Sequence, residues 1–248
     1  MEKAFSLEYW NNKKIEKNKI FHVKNNNINA LKTNPKLFNY FSDFETIVKI
    51  NNCILKNRNV TSFGCGSCWL EAQIQIKYDA WITGYDFSKH RINRLAKLTI
   101  KGYKADPKRF KLLVGDMHNT TIRSASQDLV VMCQSLHHST NPRSLIAEAL
   151  RILKPTGRII VLGEPSPGLQ EHFRKFLVHF IKFILINSYR SRHGFFPTHS
   201  TLFPPCAQKG DIHYSKSDYY FMFNLSGLEF KLYKSKNYNK ISFWCWKK

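Results

Sequence analysis

Long apolar runs are missing from this 248-residue chain. No stretch approaches the ~18 or more uninterrupted apolar residues of a membrane span. The opening Met-Glu-Lys-Ala-Phe-Ser has none of the apolar core of a secretory signal, and a cytoplasmic chain is expected. Cysteine is sparse. The six, at 53, 65, 68, 133, 206 and 245, are scattered, which points to free thiols rather than a disulfide framework. Cys65 and Cys68 form a Cys-x-x-Cys, but no second Cys or His pair stands at ligand spacing nearby, so no metal is expected. Also absent are a Gly-Lys-Ser/Thr phosphate loop, an internal repeat and a low-complexity linker.

Acids are few as well. Seventeen Asp and Glu face 39 Lys and Arg, for a net charge of +22. A field of that sign favours phosphates, nucleic acid or anionic lipid. Abundant Lys, Asn and Ile fit equally a compositional bias that leaves lysines on a solvated surface. No basic run is dense enough for a nucleic-acid tail. Core material, by contrast, is plentiful: 43% hydrophobic residues and 19 phenylalanines predict a packed globule, and the length suits one α/β domain.

The most informative stretch is Arg58-Asn-Val-Thr-Ser-Phe-Gly-Cys-Gly-Ser-Cys-Trp-Leu-Glu71, followed by Asp86 in Thr-Gly-Tyr-Asp-Phe-Ser. A β-branched and aromatic run, Val60 to Phe63, feeds a tight turn with Gly64 and Gly66, and a helix is predicted from near Trp69. Glycine lets backbone approach a ligand closely, and a helix N-terminus offers free N–H groups. An acid at the tip of the next strand can accept both hydroxyls of a ribose. A nucleoside-containing cofactor across the carboxyl edge of a parallel sheet is expected. It is not a dinucleotide, because Trp69 stands where the third glycine of Gly-x-Gly-x-x-Gly would be.

Further elements follow in order. Lys111-Leu-Leu-Val-Gly-Asp116-Met117 reads as a third strand ending in an acid, and Gln127 to Cys133 as a buried fourth strand leading into Gln134-Ser-Leu-His137-His138. Leu145, Ile146, Ala149, Leu150 and Leu153 have helical spacing, Pro155 and Gly157 are expected to stop that helix, and a fifth strand should follow. The glycine turn with this helix, Leu-Lys-Pro-x-Gly and strand module resembles the class I S-adenosylmethionine-dependent methyltransferases, and closely resembles the methyltransferase type 11 group that includes ubiquinone and menaquinone biosynthesis enzymes. The resemblance covers roughly residues 58–165 and the C-terminal strands. It implies a Rossmann-like, doubly wound, seven-stranded, mostly parallel sheet with an antiparallel last strand, and S-adenosyl-L-methionine as cofactor. On that resemblance Ser62, Gly64, Cys65, Gly66 and Gln134 would surround the methionine end. Asp86 with Phe87 would hold the ribose, Asp116 the adenine amino group, and Met117 would pack beside the ring. Two positions depart from the pattern: Ser62 replaces an acid that usually ends the first strand, and Cys68 replaces a frequent glycine.

The organisation expected is an N-terminal helical cap, residues 1–57, and a methyltransferase domain, residues 58–248. The domain divides into a cofactor-binding half (58–165), an insertion acting as substrate lid (166–217), and a C-terminal helix with two strands (218–248). In the cap, Phe38, Phe41, Phe44, Ile47, Val48 and Ile50 have helical spacing after Pro35, and Glu8-Tyr9-Trp10 resembles an aromatic segment that folds over the cofactor. In the insertion, residues 173, 176, 177, 180, 181, 184 and 185 make an apolar stripe flanked by Arg174, Lys175, His179 and Lys182. Burial of that stripe against the domain is expected. A membrane-surface helix over 169–190, giving peripheral membrane contact, is the alternative. Pro204-Pro205-Cys206 invites comparison with cytosine-C5 methyltransferases, but their cysteine follows the fourth strand.

Methyl transfer needs proximity and orientation, and a base where the acceptor must lose a proton. His137, His138, Glu164 and His213 are the candidates, because the first three follow strands at the ligand-binding edge and the last precedes the final helix. A small-molecule, sugar or lipid-linked acceptor is expected. The basic charge keeps an RNA- or protein-directed enzyme as the alternative, and Ser62 and Cys68 keep a non-catalytic cofactor-binding module as a second.

Overall fold

The computed structural model describes residues 31–139, 141–204, 211–237 and 239–248. Glu8-Tyr9-Trp10 and Cys206 lie outside the described residues. Seven strands form one sheet in the order β3-β2-β1-β4-β5-β7-β6. They are β1 (Asn59–Phe63), β2 (Trp81–Asp86), β3 (Phe110–Val114), β4 (Gln127–Cys133), β5 (Leu153–Pro165), β6 (Leu228–Lys234) and β7 (Lys240–Lys247). β1 to β5 pair in parallel, and β7 runs antiparallel between β5 and β6. This is the doubly wound sheet with an antiparallel last strand that the motif order implied. The chain leaves β1 toward β2 on one side, while β4 flanks β1 on the other. That reversal opens a crevice at the carboxyl edge, where ligands bind in such sheets.

The helices follow from capping and periodicity. Asn34 caps α1 (Pro35–Ile50) through Lys36 N–H, with Pro35 at the first turn. Leu37, Tyr40, Phe44, Ile47 and Val48 of α1 are buried, whereas Phe38 and Ile50 face out. Asp43 of α1 ties this helix to the sheet by accepting from Ser235 and Lys236. α2 (Trp69–Tyr78) follows the glycine turn, a π-helical turn (Arg91–Ala96) leads into α3 (Lys97–Tyr103), and Asn141 caps α4 (Pro142–Ile152). α4 stops earlier than expected. Leu153 is already extended and pairs with Gln127, because Pro155 drives Lys154 out of helical geometry and the preceding residue goes with it.

Between β5 and the final helix lie α5 (Leu169–Leu185), α6 (Asn187–Arg190) and α7 (His199–Leu202). α8 (Lys216–Leu225) opens on a capping box in which Ser215 and Asp218 satisfy each other's backbone donors. Tyr219 and Phe223 of α8 stack on Phe230 and Phe243 of the last strands.

The expected burial of the α5 stripe is not what the structure has. Phe173, Phe176, Leu177, Ile181, Ile184 and Leu185 are exposed, and only His179 is buried. The inward side carries His172, Lys175 and His179 with the half-buried rings of Phe180 and Phe183. His179 bonds Tyr189 Oη at 2.9 Å and Phe195 O at 3.2 Å, while His172 packs edge-on against Phe203. Helical periodicity fixes the existence of two faces. The buried His179, with both ring nitrogens bonded, lies on the inward one.

Candidate active site

The glycine turn sits over the crevice. Gly64 (φ +70) and Gly66 (φ +55) are both left-handed, and a Cβ on Gly64 would lie 2.7 Å from Ser135 Cβ. The turn is pinned by Gly64 N–H to Tyr85 O at 2.8 Å and by Gly66 N–H to Asp86 Oδ2 at 2.9 Å. Ser88 N–H donates to Asp86 Oδ1 at 2.9 Å. Asp86 therefore welds the first two strand ends together, and each oxygen keeps a second lone pair for a hydroxyl donor. Cys68, at the position where a glycine was noted as frequent, is itself left-handed (φ +57) and fully buried. Cys65 is also buried, and burial pushes its thiol well above the ordinary range. A neutral thiol in that position packs against Gly84 rather than acting as a thiolate ligand.

Ser62 does not stand alone. Its Oγ donates to Glu71 Oε1 at 2.5 Å, from the first turn of α2. Glu71 is fully buried, burial pushes its carboxyl up to about 7, and its Oε2 has no hydrogen-bond partner. The acid absent from the end of β1 is thus supplied through space by the following helix. Gln134, beyond β4, takes a left-handed conformation (φ +54) and leaves its buried Nε2 donor without a partner. One orphaned acceptor and one orphaned donor fit the ammonium and carboxylate of an amino-acid ligand. At the far side Asp116 is half exposed and holds His118, at 2.9 Å to its N–H and 2.6 Å to Nδ1. Met117 is buried in the core and Phe87 half-buried.

Glu164, at the end of β5, has a different role from the one its position suggested. It is fully buried, and its two oxygens accept from the backbone N–H groups of Ser135, Leu136 and His137, from His137 Nδ1 at 2.8 Å, and from Tyr219 Oη. Burial pushes its carboxyl up, but the interaction with His137, and Lys240 and His138 beyond it, bring it net below the usual range. An acid so fully engaged clamps the short turn Leu136–His138 and has no lone pair to offer a substrate. His137 is correspondingly buried and committed to the clamp.

His138 is the more open of the two histidines. Its Nδ1 lies 2.9 Å from Asp211 Oδ1, and both side chains remain about one-fifth exposed, at 22% and 21%. Burial and the neighbouring His137, whose ring centroid is 4.2 Å away, hold the His138 imidazole below its ordinary pKa. The structure brings Asp211 here through Ile212 N–H, which donates to His137 O at 2.8 Å. His213, half-buried with its imidazole lowered by burial, stands beside the pair and touches Phe203. Asp211 and Glu71 are the two residues that motif reading missed. His137, His138 and Asp211 also have metal-ligand spacing, all within 4.8 Å. His137 Nδ1 and His138 Nδ1 both lie against carboxylates, those of Glu164 and Asp211.

Residues 61–161 match the family model described as a methyltransferase domain. The chain is 30% identical over 104 residues to malonyl-[acyl-carrier protein] O-methyltransferase of Hahella chejuensis, covering 42% of this chain and 35% of that protein. It is 30% identical over 115 residues to ribosomal RNA-processing protein 8 of Arabidopsis thaliana, covering 45% and 32%. The chain thus spans about a third of the length of these curated relatives. In structure it resembles an S-adenosylmethionine-dependent methyltransferase of Aquifex aeolicus, with a TM-score of 0.57 at 12% identity over 88% of this chain and 96% of the other.

Proposed function

We propose that this chain, which carries a methyltransferase domain on the class I S-adenosylmethionine-dependent fold, transfers a methyl group to a small-molecule, sugar or lipid-linked acceptor. The observation that carries the reading is the placement of the His138–Asp211 pair on the same sheet edge as the glycine turn and Asp86. Bound S-adenosylmethionine would supply an activated methyl on a sulfonium centre. The Gly64–Gly66 backbone, Glu71 and Gln134 would hold its amino-acid end, Asp86 and Phe87 its ribose, and Asp116 and Met117 its adenine. Asp211 orients His138, whose imidazole would take a proton from the acceptor. Glu164 keeps the turn rigid, so that His138 stays in register with the methyl donor.

Incubation with labelled S-adenosylmethionine and fractionated cell extract tests the reading. Label should enter a metabolite, sugar or lipid fraction. Entry into RNA or protein would establish the alternative, which the +22 charge and the similarity to ribosomal RNA-processing protein 8 support. Cofactor binding with no fraction labelled would leave a non-catalytic binding module.

Two predictions concern the cofactor. Asp86→Ala should weaken S-adenosylmethionine binding by roughly 1–3 kcal/mol, since ribose hydroxyls and two turn amides lose their acceptor. Calorimetry reads the affinity and thermal unfolding reads the turn, and unchanged affinity would sink the ribose assignment. Glu71 gives a pH signature. Burial raises its carboxyl from the ordinary value of 4.5 to about 7, so the protein is stabilised by the neutral form and loses that stability as pH rises from about 4.5 through 7. Cofactor affinity should move the opposite way, rising through pH 7 as the carboxylate forms opposite the ammonium. Glu71→Gln should flatten both curves; an affinity curve that stays sloped in this variant would remove Glu71 from the site.

A further inference from the structure

The outward face of α5 calls for an explanation. Leu169, Phe173, Phe176, Leu177, Ile181, Ile184 and Leu185 are exposed along one side, with Phe173 at 70% and Leu185 at 74%. Phe195 and Phe196 extend the patch, since Phe195 packs on Phe180 and Phe183 of α5 and Phe196, 80% exposed, packs on Phe195. Chains that work as free monomers in water rarely expose contiguous apolar surface beyond a few hundred Å². The border of the patch is basic. Residues 166–204 carry Arg174, Lys175, Lys182, Arg190 and Arg192 against Glu171 as the single acid, which is held by Asn239 at 2.9 Å. Arg174, Lys182, Arg190 and Arg192 are exposed.

We infer that this face seats the protein on an anionic lipid bilayer, with α5 lying in the interface plane. Seventeen residues of helix reach about 25 Å, enough to lie along a membrane. No helix among the described residues is long and apolar enough to cross one. Rings and branched aliphatic chains would enter the acyl boundary while the long arginine and lysine stems lift their charges to the headgroups. The buried, bonded His179 on the opposite side fits this orientation. His172 packs on Phe203, and Phe203 in turn touches His213, so the seated helix borders His213, which feels the charge of Asp211. The +22 net charge adds long-range attraction of the same sign. The inference stands without the methyltransferase reading, because vesicle binding is measured with no cofactor or acceptor present.

The full chain is sedimented with vesicles of equimolar phosphatidylcholine and phosphatidylglycerol, and in parallel with phosphatidylcholine alone. Expected is binding to the mixed vesicles, little to the neutral ones, and a loss of binding as salt shortens the screening length from ~10 Å at 0.1 M to ~3 Å at 1 M. Phe173→Asp with Ile181→Asp should abolish binding without lowering Tm, because both side chains already face water. Arg190→Glu with Arg192→Glu should weaken it at least severalfold while leaving the apolar face intact. Absence of binding to mixed vesicles at low salt would overturn the inference. So would a fall in Tm in the aspartate variant, which would show the face packed in solution, or dimers dispersed by that variant, which would assign it to a second copy. RNA binding lost in the same variant would assign it to nucleic acid instead.

Discussion

His138→Ala is expected to lower turnover per folded molecule by about 100-fold or more, with S-adenosylmethionine affinity unchanged. The expectation rests on two features of the pair with Asp211. The 2.9 Å approach of Nδ1 to the carboxylate orients the ring. Burial and His137 keep the imidazole below its ordinary pKa, so it is unprotonated at neutral pH and ready to accept a proton. The acid limb of the rate profile should therefore lie below the ordinary histidine value, activity being lost as pH falls through it. Asp211→Asn should reproduce much of the loss by releasing the ring. His137→Ala should act differently, lowering Tm because Glu164 loses a partner in a closed site. Single-turnover transfer from labelled cofactor, normalised to folded protein, checks all three. Normal turnover in His138→Ala would make it a packing residue and remove the base from the mechanism.

Local chemistry was legible in the sequence where one short segment carries it. Gly64, Gly66 and Asp86 announced their turn because left-handed backbone and a strand-tip acid need those residue types at that spacing. The Pro142–Ile152 helix and the buried β4 run declared themselves by period. What stayed hidden is through-space pairing. Ser62 looked like a loss of charge until Glu71, nine residues on, was found against it. Asp211 stands 73 positions from His138 and is brought there by a backbone bond to the His137 carbonyl, which no local pattern records. Glu164 was legible as a strand-end acid but not as a clamp, since its five donors come from Ser135, Leu136, His137 and Tyr219 rather than its own segment. The orientation of α5 was hidden for a related reason: periodicity sees a stripe but not the partner of His179.

Gly64→Val should remove cofactor binding and cost about 2–5 kcal/mol of stability, from left-handed strain together with overpacking. The backbone there sits at φ +70, and the first added carbon would stand 2.7 Å from Ser135 Cβ. Ser135 cannot yield cheaply. Its Oγ donates to Phe63 O at 2.8 Å and its N–H to Glu164 at 3.2 Å. Displacing it pushes on the same acid that holds Leu136 and His137, so the disturbance travels from the cofactor turn into the turn that carries His138. Gly64→Ala should show the same pattern at smaller size, because it keeps the strain and the first close contact but adds no β-branch. Thermal unfolding and calorimetry with S-adenosylmethionine measure the two effects separately. A Gly64→Val protein that folds at the wild-type Tm and binds the cofactor normally would show that the backbone at this turn does not have to approach a ligand, and the assignment of the whole crevice would fall with it.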